Sequence, residues 1–130
     1  MSTTTYNKNE RGQTLTEFTL VVPILVVLIL AIAQFGVVFN NYVTMTDAVR
    51  AGARKAAVSR LLQDPVGACT TAVRDASQNL NQSDLTISCS SSWQPGADVT
   101  VAATYPYDIN LLGWVVASGR LNSTMKERVE

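Results

Sequence analysis

Residues Phe18–Phe39 read FTLVVPILVVLILAIAQFGVVF, and this stretch decides the fold. As a helix, its 22 residues extend about 33 Å, which is enough to cross the ~30 Å hydrocarbon core of a bilayer. Apart from Pro23, every residue from Leu20 to Ala33 is apolar, so the helix lacks the polar face of an amphipathic surface helix. The sequence therefore predicts a transmembrane helix over residues 13–39, with a kink near Pro23 because proline leaves the carbonyl one turn earlier unbonded.

The composition of the whole chain excludes most functions that depend on charge or on catalytic side chains. The length of 130 residues is typical of a single domain. The 10 Lys and Arg residues are balanced by 10 Asp and Glu residues. A net charge of zero offers no basic surface for nucleic acid. The sequence has no His and only two Cys, too few for a structural zinc site. We expect no enzyme activity, no cofactor, no metal and no nucleic-acid partner.

Two other interpretations of the apolar stretch remain open. Lys8 and Arg11 precede it, and Ala31–Ala33 is an A-x-A sequence, so a signal peptidase would release a soluble domain starting at Gln34. Against this, the apolar run continues past that site, and Glu17 lies where a cleaved signal more usually has Lys or Arg. The second alternative is an uncleaved single-span protein that presents a binding head outside the cytoplasm.

Glu17 requires an explanation because a carboxylate at the edge of a membrane helix is costly without a positive partner. The positive end of the helix dipole would account for it as an ordinary residue of the first turn. Cleavage after Gly12 would instead create an ammonium group at Gln13, four residues before Glu17. That ammonium could pair with Glu17 of the same chain or of a neighbouring subunit. Gly12 has no side chain to obstruct a protease that binds extended backbone.

The segment ERGQTLTEFTLVVPILVVLILAIAQFGVVF, residues 10–39, resembles the N-terminus of TadE-like proteins. These are minor pilins or pseudopilins of the tight-adherence (Flp, type IVc) pilus system. The resemblance implies a leader, residues 1–12, that a prepilin peptidase removes after Gly12. It also implies a role in assembly for Glu17 and for Phe18, the aromatic residue that follows it.

The resemblance continues through FNNYVTMTDAVRAGARKAA, residues 39–57, and more weakly through LNSTMKERVE, residues 121–130. Residues 58–120 carry none of its motifs. The implied function is a subunit that is assembled through its N-terminal helix into or beneath a pilus for adhesion or surface attachment. The implied partners are a prepilin peptidase, other pilin subunits, the pilus assembly machinery and inner-membrane lipid.

The orientation in the bacterial inner membrane is not decided by charge. The family implies a single-pass protein with its N-terminus in the cytoplasm and its head outside. However, four basic residues follow the apolar stretch against a single Asp47, and a positive-inside count would place that side in the cytoplasm. These residues are Arg50, Arg54, Lys55 and Arg60.

The helix is predicted to continue from about Thr14 to about Leu62, because helix formers dominate and proline is absent after Pro23 until Pro65. Residues 40–62 would then project beyond the membrane. A strip of small residues along this projection would let another helix approach closely. Either a second subunit or the chain's own head could occupy it. The strip comprises Ala48, Gly52 and Ala56.

Residues 63–130 predict a small extracytoplasmic head, giving an α+β fold with one further helix and a three-stranded antiparallel sheet. Apolar residues recur at helical spacing from Val66 to Leu80, and alternating residues then mark the strands. The expected strands are 85–89, 98–105 and about 120–128, with residues 110–119 as a connection. The aromatic residues of the head favour core packing over a binding patch. They are Trp93, Tyr105, Tyr107 and Trp114.

Cys69 and Cys89 enclose 19 residues and could join the second helix to the first strand. A disulfide across a loop of that size would add about 3 kcal/mol to the stability of the head. Disulfides need an oxidising compartment, so this pairing would favour a head outside the cytoplasm. The alternative is a pair of unrelated buried thiols.

Overall fold

The fold is a long N-terminal helix that carries a small head, as seen in a computed structural model that describes residues 8–130, with side chains from Gly12 onward. The predicted α+β class, with two helices and a three-stranded antiparallel sheet, is confirmed. The elements are α1 (Lys8–Ala57), α2 (Pro65–Ala76), β1 (Thr86–Ser90), β2 (Asp98–Leu111) and β3 (Trp114–Arg128).

Both predicted ends of the first helix were wrong. The helix begins at Lys8 rather than Thr14, because good helix formers such as Lys, Glu and Arg extend it toward the N-terminus. It ends at Ala57 rather than Leu62. The Ser59 N–H donates to the Ala56 carbonyl at 3.0 Å, and its hydroxyl donates to the Lys55 carbonyl. These bonds satisfy carbonyls at the helix end, so the chain can leave the helix there.

The C-terminus of the chain also closes onto the end of α1. The Glu130 N–H donates to the Ala57 carbonyl at 3.0 Å, and the Val129 N–H donates to the Ala97 carbonyl at 2.8 Å. Val129 itself is buried in the core. The helix end is therefore set partly by a contact between residues far apart in the sequence.

Burial along α1 changes at Met45. From Gly12 to Thr44 no side chain is buried, whereas one face of the helix is buried from Met45 onward. This face is Met45, Ala48, Val49, Gly52, Ala53, Ala56 and Ala57, at the three- and four-residue spacing of a helix. It packs with α2 and the central strand into a single core, whose other members include Cys69, Val73, Val99, Val101 and Ala103.

The second helix is shorter than predicted. It ends at Ala76 rather than near Leu80, because the buried Ser77 turns its hydroxyl back to the Val73 carbonyl at 2.7 Å. Its start is fixed by Asp64, whose carboxylate accepts from the Gly67 N–H at 2.8 Å, and by Pro65 in the first turn. Leu80 is still buried, but it follows the helix.

The loss of the Asp64 cap gives a first testable prediction. Asp64→Ala should lower the free energy of unfolding of the head by about 1 kcal/mol, because the Gly67 N–H would lose its side-chain acceptor. Thermal unfolding of the purified full chain measures the change. Asp75→Ala, on the exposed side of the same helix, is the control and should change stability by less than about 0.5 kcal/mol. Equal effects of the two substitutions would contradict the capping role.

The sheet has the order β1-β2-β3, and its two outer strands both run antiparallel to β2. The prediction that residues 110–119 form a connection was wrong. Leu111 pairs with Trp114, so a two-residue turn at Leu112-Gly113 joins two long strands. Both turn residues have positive φ, 53° and 87°, as a tight hairpin of this kind requires. Leucine rarely adopts that conformation, which is why the sequence did not suggest the turn.

Candidate functional site

The N-terminal part of α1 is long and apolar enough to cross a membrane. Its 18-residue window has a mean hydropathy of 2.8, and none of that window is buried in the protein. The core helix of a soluble domain would be mostly buried, whereas the apolar side chains of this helix face outward, Phe18, Ile24, Leu28 and Phe35 among them.

The residues of the predicted processing site lie on the first described turns of this helix. Gly12 is exposed and has open space where a Cβ would stand. Its carbonyl accepts from the Thr16 hydroxyl at 2.8 Å. The Gln13 side-chain amide donates to the Glu17 carboxylate at 3.2 Å, so the two residues share one face. The predicted leader, residues 1–12, lies largely outside the described residues.

Phe18 and Pro23 follow on the same helix. Phe18 is 68% exposed, so the described residues leave most of it uncovered. Pro23 lies inside the continuous helix α1, where its ring nitrogen cannot donate to the Thr19 carbonyl. The Thr19 hydroxyl donates to the Leu15 carbonyl at 2.8 Å. This bond does not replace the one that Pro23 removes. Pro23 leaves the Thr19 carbonyl without its backbone donor, whereas the Thr19 hydroxyl bonds to the carbonyl of Leu15.

The small-residue strip lies against the chain's own head. Ala48, Gly52 and Ala56 are all buried. A Cβ placed on Gly52 would come within 2.3 Å of Val73 Cγ2 on α2 and within 3.6 Å of Val101 Cγ1 on β2. Within one chain, these small residues therefore let α1 approach α2 and the sheet closely.

Cys69 and Cys89 form a disulfide that joins α2 to β1. Cys69 is fully buried and Cys89 is half-buried. The paired cysteines cross-link the two elements that flank the loop 77–85. Among residues 12–130, no group of three or more His, Cys, Asp or Glu side chains is placed to hold a metal ion.

The aromatic residues of the head differ in their burial, and Tyr107 is half-buried on β2. Trp93 and Tyr105 pack partly buried against the core, and the Tyr105 hydroxyl accepts from the Asn81 N–H at 3.3 Å. Trp114 is 81% exposed beside the β2–β3 turn, so the expectation that it packs in the core was wrong.

The end of the β2–β3 hairpin forms a surface that no sequence pattern predicted. We call residues 109–119 the hairpin arm. An open groove of about 720 Å³ separates the arm from α1. Six α1 side chains between Ile24 and Phe35 line one side, and Ile109, Leu111, Val116 and Ala117 line the other. The available signal was the absence of any charge between Asp108 and Arg120.

Comparison with known proteins agrees with the sequence resemblance. The family model described as TadE-like protein matches residues 12–54, which cover most of α1 from the predicted cleavage residue into the head. The predicted resemblance to TadE-like proteins is thereby confirmed for residues 12–54. No curated protein and no solved structure matches it. The family match and the one membrane-length helix among the described residues together indicate a membrane-anchored protein.

Proposed function

We propose, from the premise that this chain is a TadE-like protein over residues 12–54, that it is a minor pilin or pseudopilin of a tight-adherence pilus. A prepilin peptidase removes residues 1–12, and the subunit is then assembled through α1 into or beneath the pilus. The pilus serves adhesion or surface attachment. The observation that carries the proposal is the family match, which begins at Gly12 and covers the membrane-length helix.

The outward-facing apolar surface of α1 supports an assembly role. From Gly12 to Thr44 the helix has no buried side chain, so this apolar stretch must find its apolar environment outside its own chain. In the proposed pathway, lipid provides that environment before assembly, and the helices of neighbouring subunits provide it afterwards. We place the N-terminus in the cytoplasm and the head outside, because the disulfide needs an oxidising compartment.

The surroundings of Gly12 are compatible with proteolysis. Among the described residues nothing lies within 4 Å of the position of a Cβ, so none of them obstructs a peptidase there. The backbone there is helical and must be unwound before it can bind as an extended strand. Glycine lowers the cost of that unwinding, because it is less stable in a helix than alanine by about 1 kcal/mol.

The contact between Gln13 and Glu17 supports a role for the carboxylate after cleavage. The two residues already face each other, with the side-chain amide 3.2 Å from the carboxylate. Removal of the leader would add a positive charge to the backbone nitrogen of Gln13. Glu17 then has a cation within reach on its own chain, and it can exchange that partner for the amine of a neighbouring subunit during assembly.

The processing step is tested by the intact mass and the N-terminal sequence of protein recovered from its native membrane. The parent chain should start at Gln13. Gly12→Leu should keep its leader, because the new side chain would obstruct the peptidase. Gly36→Leu is the matched control, since Gly36 is also an exposed helical glycine with open space around it, and it should be processed normally. A parent chain that starts at Met1 or at Gln34 would contradict the proposal.

The assembly step is tested by Glu17→Ala. We expect this variant to be inserted and processed like the parent but to be depleted from sheared pilus fractions, because the Gln13 ammonium would lose its carboxylate partner. Glu17→Gln, which keeps the size and removes the charge, should show the same loss. Thr16→Ala, which changes the neighbouring residue, should assemble normally. Parental amounts of Glu17→Ala in the pilus fraction would show that the carboxylate has no part in assembly.

A further inference from the structure

The hairpin arm has an unusual surface for a strand-turn-strand unit that points away from the head. All residues from Leu112 to Ser118 are exposed, yet the arm carries no charge. Leu112, Trp114, Val115 and Val116 are each more than half exposed, and Trp114 reaches 81%. Because neighbouring residues of a strand point to opposite faces, consecutive apolar residues give the arm two apolar faces. Such a surface is unfavourable in water.

The turn itself retains an apolar side chain at a conformational cost. Leu112 has φ of 53°, in the left-handed region where Asn, Asp and Gly are favoured at hairpin turns. A leucine there is sterically disfavoured, and its side chain is 72% exposed. Hairpin turns in water usually carry polar residues. An exposed leucine at this position is therefore an unfavourable choice for a turn surrounded by water.

The position of the arm identifies an apolar environment for it. The arm lies beside the part of α1 that is apolar and long enough to cross a membrane, and the two share one open groove. Every residue that lines this groove is apolar. If α1 spans a bilayer, the lipid around Ile24–Phe35 is also the nearest surroundings of the arm.

We propose that the tip of the hairpin arm, Leu112–Val116, is a second membrane contact, which enters the leaflet next to the head while acyl chains fill the groove between the arm and α1. Trp114, which is 81% exposed beside the turn, gives the tip a large side chain that is more stable in hydrocarbon than in water. The outer edges of the two strands carry unpaired backbone groups, which are unfavourable deep in hydrocarbon. The arm therefore enters the membrane no further than its base, with Asp108 and Arg120 in water. The proposal depends on a membrane-spanning α1 and not on pilus assembly.

Fluorescence in vesicles tests this contact directly. The full chain has two tryptophans, so Trp93→Phe leaves Trp114 as the only one. The variant is reconstituted into phosphatidylcholine vesicles with and without bromine atoms on the acyl chains. We expect Trp114 to lose much of its emission in the brominated vesicles and to be little quenched by iodide in the surrounding buffer. Trp114→Phe, which leaves the half-buried Trp93 of the head, is the matched control and should not respond to bromine.

Two results would overturn the proposal. Trp114 emission that is quenched by iodide and not by bromine would place the arm in water. Protection from both quenchers that disappears on dilution with lipid would indicate that a second copy of the chain covers the arm. Trp93 packs against the core, so its replacement could weaken the head. Leu112→Cys labelled with a polarity-sensitive fluorophore in the parent background is therefore a second variant, and its emission should shift to shorter wavelength in vesicles.

Discussion

Gly52→Val is expected to lower the free energy of unfolding of the head by about 3 kcal/mol, the upper part of the usual range for overpacking a core. A Cβ alone at this position would stand 2.3 Å from Val73 Cγ2 and 3.5 Å from the Cys69 carbonyl oxygen. Val73 and Cys69 are fully buried on α2, so neither can move aside into solvent. The two extra methyl groups of valine would separate α1 from α2 and open the core.

Thermal unfolding of the purified full chain in detergent measures this effect. For a head of this size, about 3 kcal/mol corresponds to a fall in Tm of at least roughly 12 °C. In a Trp114→Phe background, Trp93 fluorescence reports on the core, because Trp93 packs against it. Gly36→Val is the matched control, since it makes the same change on the exposed apolar part of α1, where a Cβ meets open space.

The same experiment separates the two roles that the sequence allowed for the small-residue strip. If Gly52 serves packing within the chain, Gly52→Val destabilises the isolated protein. If the strip serves contact between subunits, the isolated protein keeps the Tm of the Gly36→Val control, and only assembly suffers. The sequence alone could not distinguish these roles, because small residues at i, i+4 and i+8 permit any helix to approach. Only the folded chain shows that α2 is the neighbour.

The elements that sequence reasoning predicted well are those that local periodicity determines. An uninterrupted apolar run gave the membrane-length helix, and alternation of Val99, Val101 and Ala103 gave the buried face of β2. The contact of Gln13 with Glu17 was also predictable, because residues four apart face each other on a helix. In each case the determining residues lie within a few positions of one another.

The elements that could not be predicted from the sequence depend on contacts between residues far apart in the chain or on an unusual backbone conformation. The end of α1 is bonded by Glu130, more than 70 residues later. The β2–β3 turn has Leu112 where glycine or asparagine would have signalled a hairpin. As a result, the apolar residues that follow the turn resembled a connection, although they begin a 15-residue strand. The hairpin arm and its groove with α1 were therefore not foreseen.

Removal of the disulfide should also have a large effect. Cys69→Ala combined with Cys89→Ala is expected to lower the free energy of unfolding of the head by about 3 kcal/mol, since the open loop gains conformational freedom in the unfolded chain. The sequence separation of 20 residues sets the size of that loop. Cys69 is fully buried, so alanine is preferred to serine, which would leave a hydroxyl group in the core.

Thermal unfolding with and without a reductant isolates the contribution of the disulfide. Dithiothreitol should lower the Tm of the parent toward that of the double variant and should leave the double variant unchanged. If the reductant does not alter the parent, although mass analysis shows that both thiols have been freed, the disulfide does not stabilise the head. A fall in the Tm of the double variant with reductant would instead show that the reagent acts elsewhere.

The oxidation state of these cysteines in the cell would also decide the membrane orientation. The basic residues after the apolar stretch and the disulfide favour opposite orientations. Four basic residues follow the apolar stretch and would place the head in the cytoplasm, where thiols stay reduced. The proposed orientation requires an oxidising compartment around the head. Cells quenched with acid and then alkylated under denaturing conditions without a reductant should therefore yield protein without added mass at Cys69 or Cys89. Alkylation of both residues would place the head in the cytoplasm, and the positive-inside count would then be the stronger signal.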